Sequence, residues 1–530
     1  MSENRPRDRY DLSSRRKRFL GVDKDGALKG LFGGNALVSL IVLTLITVFL
    51  FREGVGFFGQ YRASLDLYRA SGLEYVEIMR EEQDDFTALN RFLNSIQAEH
   101  TEILNAKGLD FSAVKRELGQ HEDFYYDFED LSYLLTDFVL DANEAVLGER
   151  DRFITARNLE EHRRNLEEAG RDEQAAAVVI PEIDLAASFQ RLKDRENEFL
   201  ELNDEIESSV SRLLDDAPQY EEIELQDKIE RFRELAGVFI ASLPDYEERL
   251  ANWDREASIG IGAAFWAFLT GGEWVTNSSI QDWYGLWPLF SGSLLVSFIA
   301  MSIAVPFGVG AAIYCNQVAG LGEQNLIKPF IEFISAIPSV VIGFFGIVIF
   351  GGLLRDLSET GAFAWISFFP MHERLTAFTA GALLALMAIP TIFTLAEDAI
   401  NNVPKSFKEA SLAMGATRLQ TTIKIIVPTA LSGIISAILL GFGRVIGETM
   451  VVLLCAGNRI AIPDFTQGLG AFFQPVHTMT GIIAQELGEV VPQSIHYRAL
   501  FMVGMVLFII SLLINYFAQK IVIKFQISRG

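Results

Sequence analysis

Six apolar runs, with a long acidic block between the first and the second, constrain this chain more than any other feature. The runs lie near residues 36–51, 289–314, 329–353, 376–396, 425–456 and 499–519. A transmembrane helix needs about 20 mostly apolar residues, so each run is a candidate span, and the expected class is all-α and polytopic. Mean hydropathy is +0.24, yet the 530 residues carry a formal charge of -24. That combination points to membrane segments joined to a water-exposed part, and excludes a single soluble domain. With two cysteines, Cys315 and Cys455, a disulfide scaffold is excluded too. The acidic balance is wrong for a nucleic-acid partner.

The excess charge sits in one place. Residues 51–260 hold about 50 acidic and about 23 basic side chains, and the rest of the chain is close to neutral. Lysine and arginine collect on the cytoplasmic side of membrane proteins. Placing Arg15, Arg16, Lys17 and Arg18 inside also puts Lys328, Lys405, Lys408, Arg418, Lys424, Lys520, Lys524 and Arg529 inside. Only Arg355, Arg374, Arg459 and Arg498 fall in the short outer loops. Both termini are therefore expected in the cytoplasm, with the acidic block on the far side. Phe51, Arg52 and Glu53 follow the first run where a signal peptidase would need small residues, so an uncleaved anchor is expected.

The block 59–261 should be helical, because glycines are few and prolines are limited to Pro181, Pro218 and Pro244. Phe189, Leu192, Phe199, Leu202, Ile206, Val210 and Leu213 recur at helical spacing. Ile223, Ile229, Phe232, Leu235, Phe239 and Leu243 do so again. Such stripes predict antiparallel amphipathic helices in a hairpin or bundle. A plain solvated spacer and a docking or sensing domain both fit them.

Between the fourth and fifth runs the segment 397–428 changes character. Pro404 breaks the chain, 405–414 reads as a short amphipathic helix capped by Gly415, and Pro428 starts the next span. This is a helix–turn–helix that a soluble partner can grip. In the fifth run, Arg444 and Glu448 are spaced to share one helix face and, if inside the bundle, to neutralise each other. A guanidinium fork suits a tetrahedral oxyanion. A buried ion pair that only positions helices fits the same spacing. Gly443 and Gly447 are spaced for close helix packing. Pro338 and Pro390 are expected to interrupt membrane helices. His372, His477 and His496 stand apart in outer loops, so no metal site is expected. The phosphate-cradling G-x-x-x-x-G-K-[ST] loop is missing, so the chain is not expected to be an enzyme. The chain cannot itself supply an ATPase, and no cofactor is expected.

Glu409, Ala410, Ser411, Gly415, Ile425 and Pro428 together resemble the EAA loop of ABC-importer permeases, with Ser411 and Val427 as mild departures. FLTGGEW at 268–274, the segment 291–314, AIPSVVIGFFG at 336–346 and GFGRVIGETM at 441–450 resemble phosphate-importer (Pst-type) permeases. They are nearer the C-type subunit than the A-type. The resemblance covers about 35–58 and 262–520; the acidic block is an insertion not typical of the family. It implies a type I ABC-importer permease core at 262–519 in which the EAA residues couple to an ATPase and Arg444 and Glu448 lie on the phosphate path. It also implies ATP-binding cassette ATPase subunits, a second permease subunit in a heterodimer, an extracytoplasmic phosphate-binding protein and inorganic phosphate as partners. The remaining parts are then 1–35 as a basic cytoplasmic segment, 36–58 as the first helix and 520–530 as a tail. Permeases for sulfate, molybdate or phosphonate fit the same arginine. A membrane sensor fits the external block, although the tail KIVIKFQISRG offers no output module.

Overall fold

The computed structural model describes residues 24–525 apart from 109, 120, 169, 277, 279, 361–364, 366–368 and 372. The basic cluster Arg15–Arg18, His372 and Arg529 lie outside the described residues. The chain divides into two compact units. One comprises Met1–Gly59, Phe265–Thr276 and Trp283–Gly530; the other comprises Gln60–Ala264 and Asn277–Asp282.

The first helix, α1 (Lys24–Ala70), is far longer than its apolar run and continues into the second unit. Its apolar stretch is open to the surroundings, with Leu37, Leu40 and Leu45 each more than half exposed. Such a surface suits hydrocarbon rather than water.

The inserted unit continues through α2 (Leu73–Ala106), α3 (Phe111–Leu118), α4 (Glu122–Glu168), α5 (Asp172–Ala176), α6 (Leu185–Lys193), α7 (Glu196–Asp215) and α8 (Ile223–Ala251). Helix α2 packs on α4 and α8, and α7 also touches α4 and α8. Aromatic rings fill the middle. Phe86 stacks on Phe128 at 4.8 Å and lies 5.1 Å from Phe239, while Phe128 meets Phe232 at 5.2 Å. The expected stripes form this core with local exceptions. Phe199, Ile206, Val210, Ile229, Phe232, Phe239 and Leu243 are buried, whereas Ile223 is exposed. Asn203 and Ala236 are buried where Leu202 and Leu235 are only half-buried. Asn203 is there because it donates to the buried Glu82 carboxyl of α2 at 3.4 Å.

The larger unit resumes at Phe265, midway along α9 (Ile261–Thr270). A two-residue antiparallel ladder, β1 (Trp274–Val275) with β2 (Trp283–Tyr284), pairs Trp274 with Tyr284. Then come α10 (Trp287–Ile313), α11 (Leu321–Ser335), α12 (Ser339–Phe345), α13 (Gly351–Ser358), α14 (Ala377–Asn401), α15 (Lys405–Ala413), α16 (Arg418–Thr421), α17 (Val427–Ile446), α18 (Met450–Cys455), α19 (Met479–Glu486) and α20 (Ile495–Phe525). Single π-turns bridge α12 to α13 and α16 to α17. Among the described residues six helical stretches are long and apolar enough to cross a membrane: Leu31–Ala70, Trp287–Val318, Ser339–Ser358, Ala377–Asn401, Arg418–Ile446 and Ile495–Ile521.

The third and fifth spans differ from the sequence expectation. Pro338 does not interrupt a membrane helix but caps the start of α12, with φ -60 and ψ 139. The residues before it form the separate helix α11, because a proline disfavours helical geometry in its predecessor. Pro390 stays inside α14, where Thr394 donates its hydroxyl to the Pro390 carbonyl at 2.9 Å. The fifth run is not one helix: α17 stops at Ile446 and α18 restarts at Met450.

Candidate functional site

The loop after α14 folds as a turn of helix with its own stops. Pro404 caps α15, and its far end closes on Gly415, whose φ of +83 a side chain would strain. The Gly415 N–H donates to the Leu412 carbonyl at 3.0 Å and the Ala416 N–H to the Ser411 carbonyl at 3.2 Å. Those two bonds are the Schellman pattern that ends a helix on a left-handed residue. Thr417 and Gln420 then form a capping box that starts α16. The turn is pinned by Ser411 and Thr421, whose hydroxyls lie 2.9 Å apart, and by Lys408, which donates to Gln317 at 3.1 Å.

No residue of α15 is buried. Glu409 and Ala410 are exposed, Ser411 is half-buried in its bond, Ile425 is half-buried, and Pro428 lies exposed in the first turn of α17. Met414 is 88% and Leu419 64% exposed on the same loop. On its outer side the loop thus exposes an apolar and charged surface around Met414 and Leu419.

At the other end of α17 the arrangement is a broken helix. Gly441 faces α14 so closely that a Cβ there would sit 2.7 Å from Ile392 Cγ1. Gly443 is looser, with a Cβ meeting only Ile514 at 3.9 Å, and a Cβ on Gly447 would approach only the carbonyls of Gly443 and Arg444. The close helix contact therefore runs through Gly441, not through the Gly443–Gly447 pair. Helix α17 ends at Gly447, so Arg444 and Glu448 do not share a helix face. Glycine is a poor helix former, and the chain turns where an i, i+4 pairing needs the helix to continue. No ion pair joins the two among the described residues. Arg444 is exposed and donates through Nη1 to the Thr391 hydroxyl of α14 at 2.8 Å. Glu448 gives its carbonyl to the Thr480 hydroxyl of α19 at 2.8 Å. A cavity of about 630 Å³ opens beside this break, lined by Gly447, Thr449, Thr480 and Leu487 among others. Irregular backbone at membrane depth is tolerated where it lines such a cavity.

The family model for the inner membrane component of binding-protein-dependent transport systems matches residues 304–524. A probable ABC transporter permease protein (YqgH) of Bacillus subtilis is 32% identical over 48% of this chain and 77% of its own length. A probable phosphate transport system permease protein (PstC) of Methanocaldococcus jannaschii is 31% identical over 47% and 78%. The PstC protein of Pasteurella multocida is 29% identical over 53% and 85%. The chain belongs to the Pst-type permease family.

It is accordingly a permease subunit of an ABC importer and a multi-pass membrane protein, and the family implies an ATPase partner and a substrate-binding protein. Among the described residues, no group of three or more His, Cys, Asp or Glu side chains is placed to hold a metal ion. In this permease, sequence reasoning missed Thr391 and Thr480, which take up the polar groups around the broken helix. Their signal is slight: Thr391 is one of several threonines in a largely apolar run, beside Pro390. Lys328, in the sequence only a marker of topology, has a structural partner as well. It pairs at 2.5 Å with Glu397 of α14, tying α11 to the helix that precedes the loop.

Proposed function

We propose that this permease forms half of the translocation path of an ATP-driven phosphate importer. The observation that carries the reading is Arg444, an exposed guanidinium aimed by Thr391 beside a broken helix. With one donor on Thr391, its remaining N–H groups are available to an oxyanion. The names of the PstC relatives favour phosphate over sulfate, molybdate or phosphonate. Glu448 belongs to the same path, with its backbone held by Thr480. A second, different permease supplies the other half. An extracytoplasmic phosphate-binding protein delivers the ion. On the inner face Glu409, Ala410, Ser411 and Gly415, with Ile425 and Pro428 rooting the loop in α17, form the element that the ATPase grips.

Uptake of radiolabelled phosphate by the assembled complex, with competing oxyanions, tests the substrate. Arg444→Ala should abolish uptake and Arg444→Lys should restore little, since a point charge lacks the fork. Undiminished transport by Arg444→Ala would remove the arginine from the path.

The lysine and arginine distribution supports cytoplasmic termini and an extracytoplasmic insertion at 59–261. Both native cysteines are buried, so an introduced thiol reports cleanly. In intact cells an impermeant thiol reagent should label Glu234→Cys in the insertion and spare Ser406→Cys in the loop. The opposite pattern would invert the topology.

A further inference from the structure

We propose that the outer face of α4 docks a basic amphipathic helix of a partner protein. The first half of α4 is built in two stripes. Phe124, Phe128, Leu131, Leu135, Phe138 and Val146 point inward and are buried. On the opposite side Tyr126, Tyr133 and Leu140 recur every seven residues and are 55%, 59% and 59% exposed. Asp130, Asp137 and Glu144 repeat four residues further on in the same register, all exposed. The face is thus a row of large apolar groups edged by a row of carboxylates.

A merely solvated helix does not need this. Exposed helix faces usually mix both signs of charge, and the second half of α4 does so, with Arg150, Arg152, Arg157, Arg163 and Arg164 among its acids. From Glu122 to Glu149 there is no lysine or arginine at all. Tyrosines at such exposure are enriched in protein interfaces, and they lose little rotamer freedom when covered. The Tyr133 hydroxyl donates to Glu129 at 3.1 Å, which orients the ring.

The chemistry also selects the occupant. Large apolar groups every seventh residue give a docked helix one apolar contact every two turns. The carboxylate row demands lysine or arginine beside that helix's own apolar stripe. A second copy of this chain would set carboxylates against carboxylates, and an anionic membrane surface would be repelled likewise. Within the described residues no metal-binding group of acids is present to use these carboxylates otherwise. The proposal is independent of which oxyanion is carried.

The test uses the full chain in nanodiscs and a synthetic helical peptide of about three heptads, with leucine at every seventh position and lysine and arginine flanking it. Binding is read by fluorescence anisotropy at low and high salt. The peptide should bind, weaken at high salt, and lose roughly tenfold in affinity against Tyr133→Ser/Leu140→Ser. Both positions are exposed, so the melting temperature of that variant should stay at the parent value. A second variant, Asp130→Asn/Asp137→Asn, should flatten the salt dependence. Equal binding of a peptide with the same composition and a scrambled stripe would overturn the proposal, because charge alone would explain it. Concentration-dependent dimerisation of the full chain, abolished by Tyr133→Ser/Leu140→Ser, would also overturn it and name a second copy as the occupant.

Discussion

The inserted unit and the permease unit are both helical, but different physics holds them together. In the insertion most large aromatic rings lie inside and, apart from groups such as the buried Glu82, charge lies outside. Its surface carries ion pairs such as Arg69 with Glu74 and Arg249 with Glu81. In the permease unit many large apolar side chains face outward, Phe298 at 58% and Val348 at 72% exposed, although others such as Leu383, Ile392 and Phe393 are buried. Its inner contacts use small residues. A Cβ on Gly381 would meet Ile299 at 2.7 Å, and Gly433 and Gly441 bring α17 against α14. Lipid tails are as apolar as leucine, so burial alone cannot drive those helices together, and close van der Waals packing must. In the insertion a large residue is what must not shrink; in the permease unit a small one is what must not grow.

The sharpest test of that contrast is Phe128→Ala. It removes a ring that touches both Phe86 and Phe232, and should cost about 3–5 kcal/mol. Hydrogen exchange on the full chain should speed up across α2, α4 and α8 while α14 and α17 stay protected. Uniform loss of protection would mean that the two units do not unfold separately.

The next effect is electrostatic. Burial raises the Glu82 carboxyl to about 8, against a relieving hydrogen bond from Asn203 and with Glu247 of α8 adding to the rise. A carboxyl that holds its proton more tightly when folded stabilises the fold most at low pH. That contribution is present below 4.5 and lost as pH climbs toward about 8. Glu82→Gln should therefore raise the stability of the insertion at pH 8, by an amount on the order of a few kcal/mol. It should also flatten the pH profile of exchange in α2 and leave that in α17 untouched. An unchanged profile would show that Glu82 is ionised in the folded state.

In the permease unit the test is enlargement. Gly441→Leu should overpack α17 against Ile392, at a cost of about 1–3 kcal/mol. Gly443→Leu, beside the looser Ile514, should cost distinctly less. Thermal aggregation of the two variants in detergent compares them directly, and equal losses would remove the asymmetry between the two glycines.

The smallest structural effect is expected at Gly415. Open space surrounds it, so Gly415→Ala meets only the strain of its left-handed backbone, about 1–2 kcal/mol. Stability should fall by no more than that strain while uptake is lost, as the proposed ATPase-docking role of the loop requires. Unchanged uptake would detach Gly415 from coupling.

What the sequence determined by itself was whatever short-range physics encodes. The six apolar stretches, the helical stripes of the acidic block and the stop at Gly415 each follow from residues within a turn or two of one another; the fifth span, however, starts at Arg418 and passes through Pro428. Tertiary structure decided the rest. Asn203 enters the core because Glu82 lies across from it on another helix. Arg444 turns to Thr391 because α17 ends at Gly447 and α14 lies alongside. Gly441 rather than Gly443 makes the tight contact because of where Ile392 stands. Each of these depends on a partner distant in the chain. In the membrane spans apolar residues face every direction, so the composition of a helix does not show which of its sides meets protein and which meets lipid.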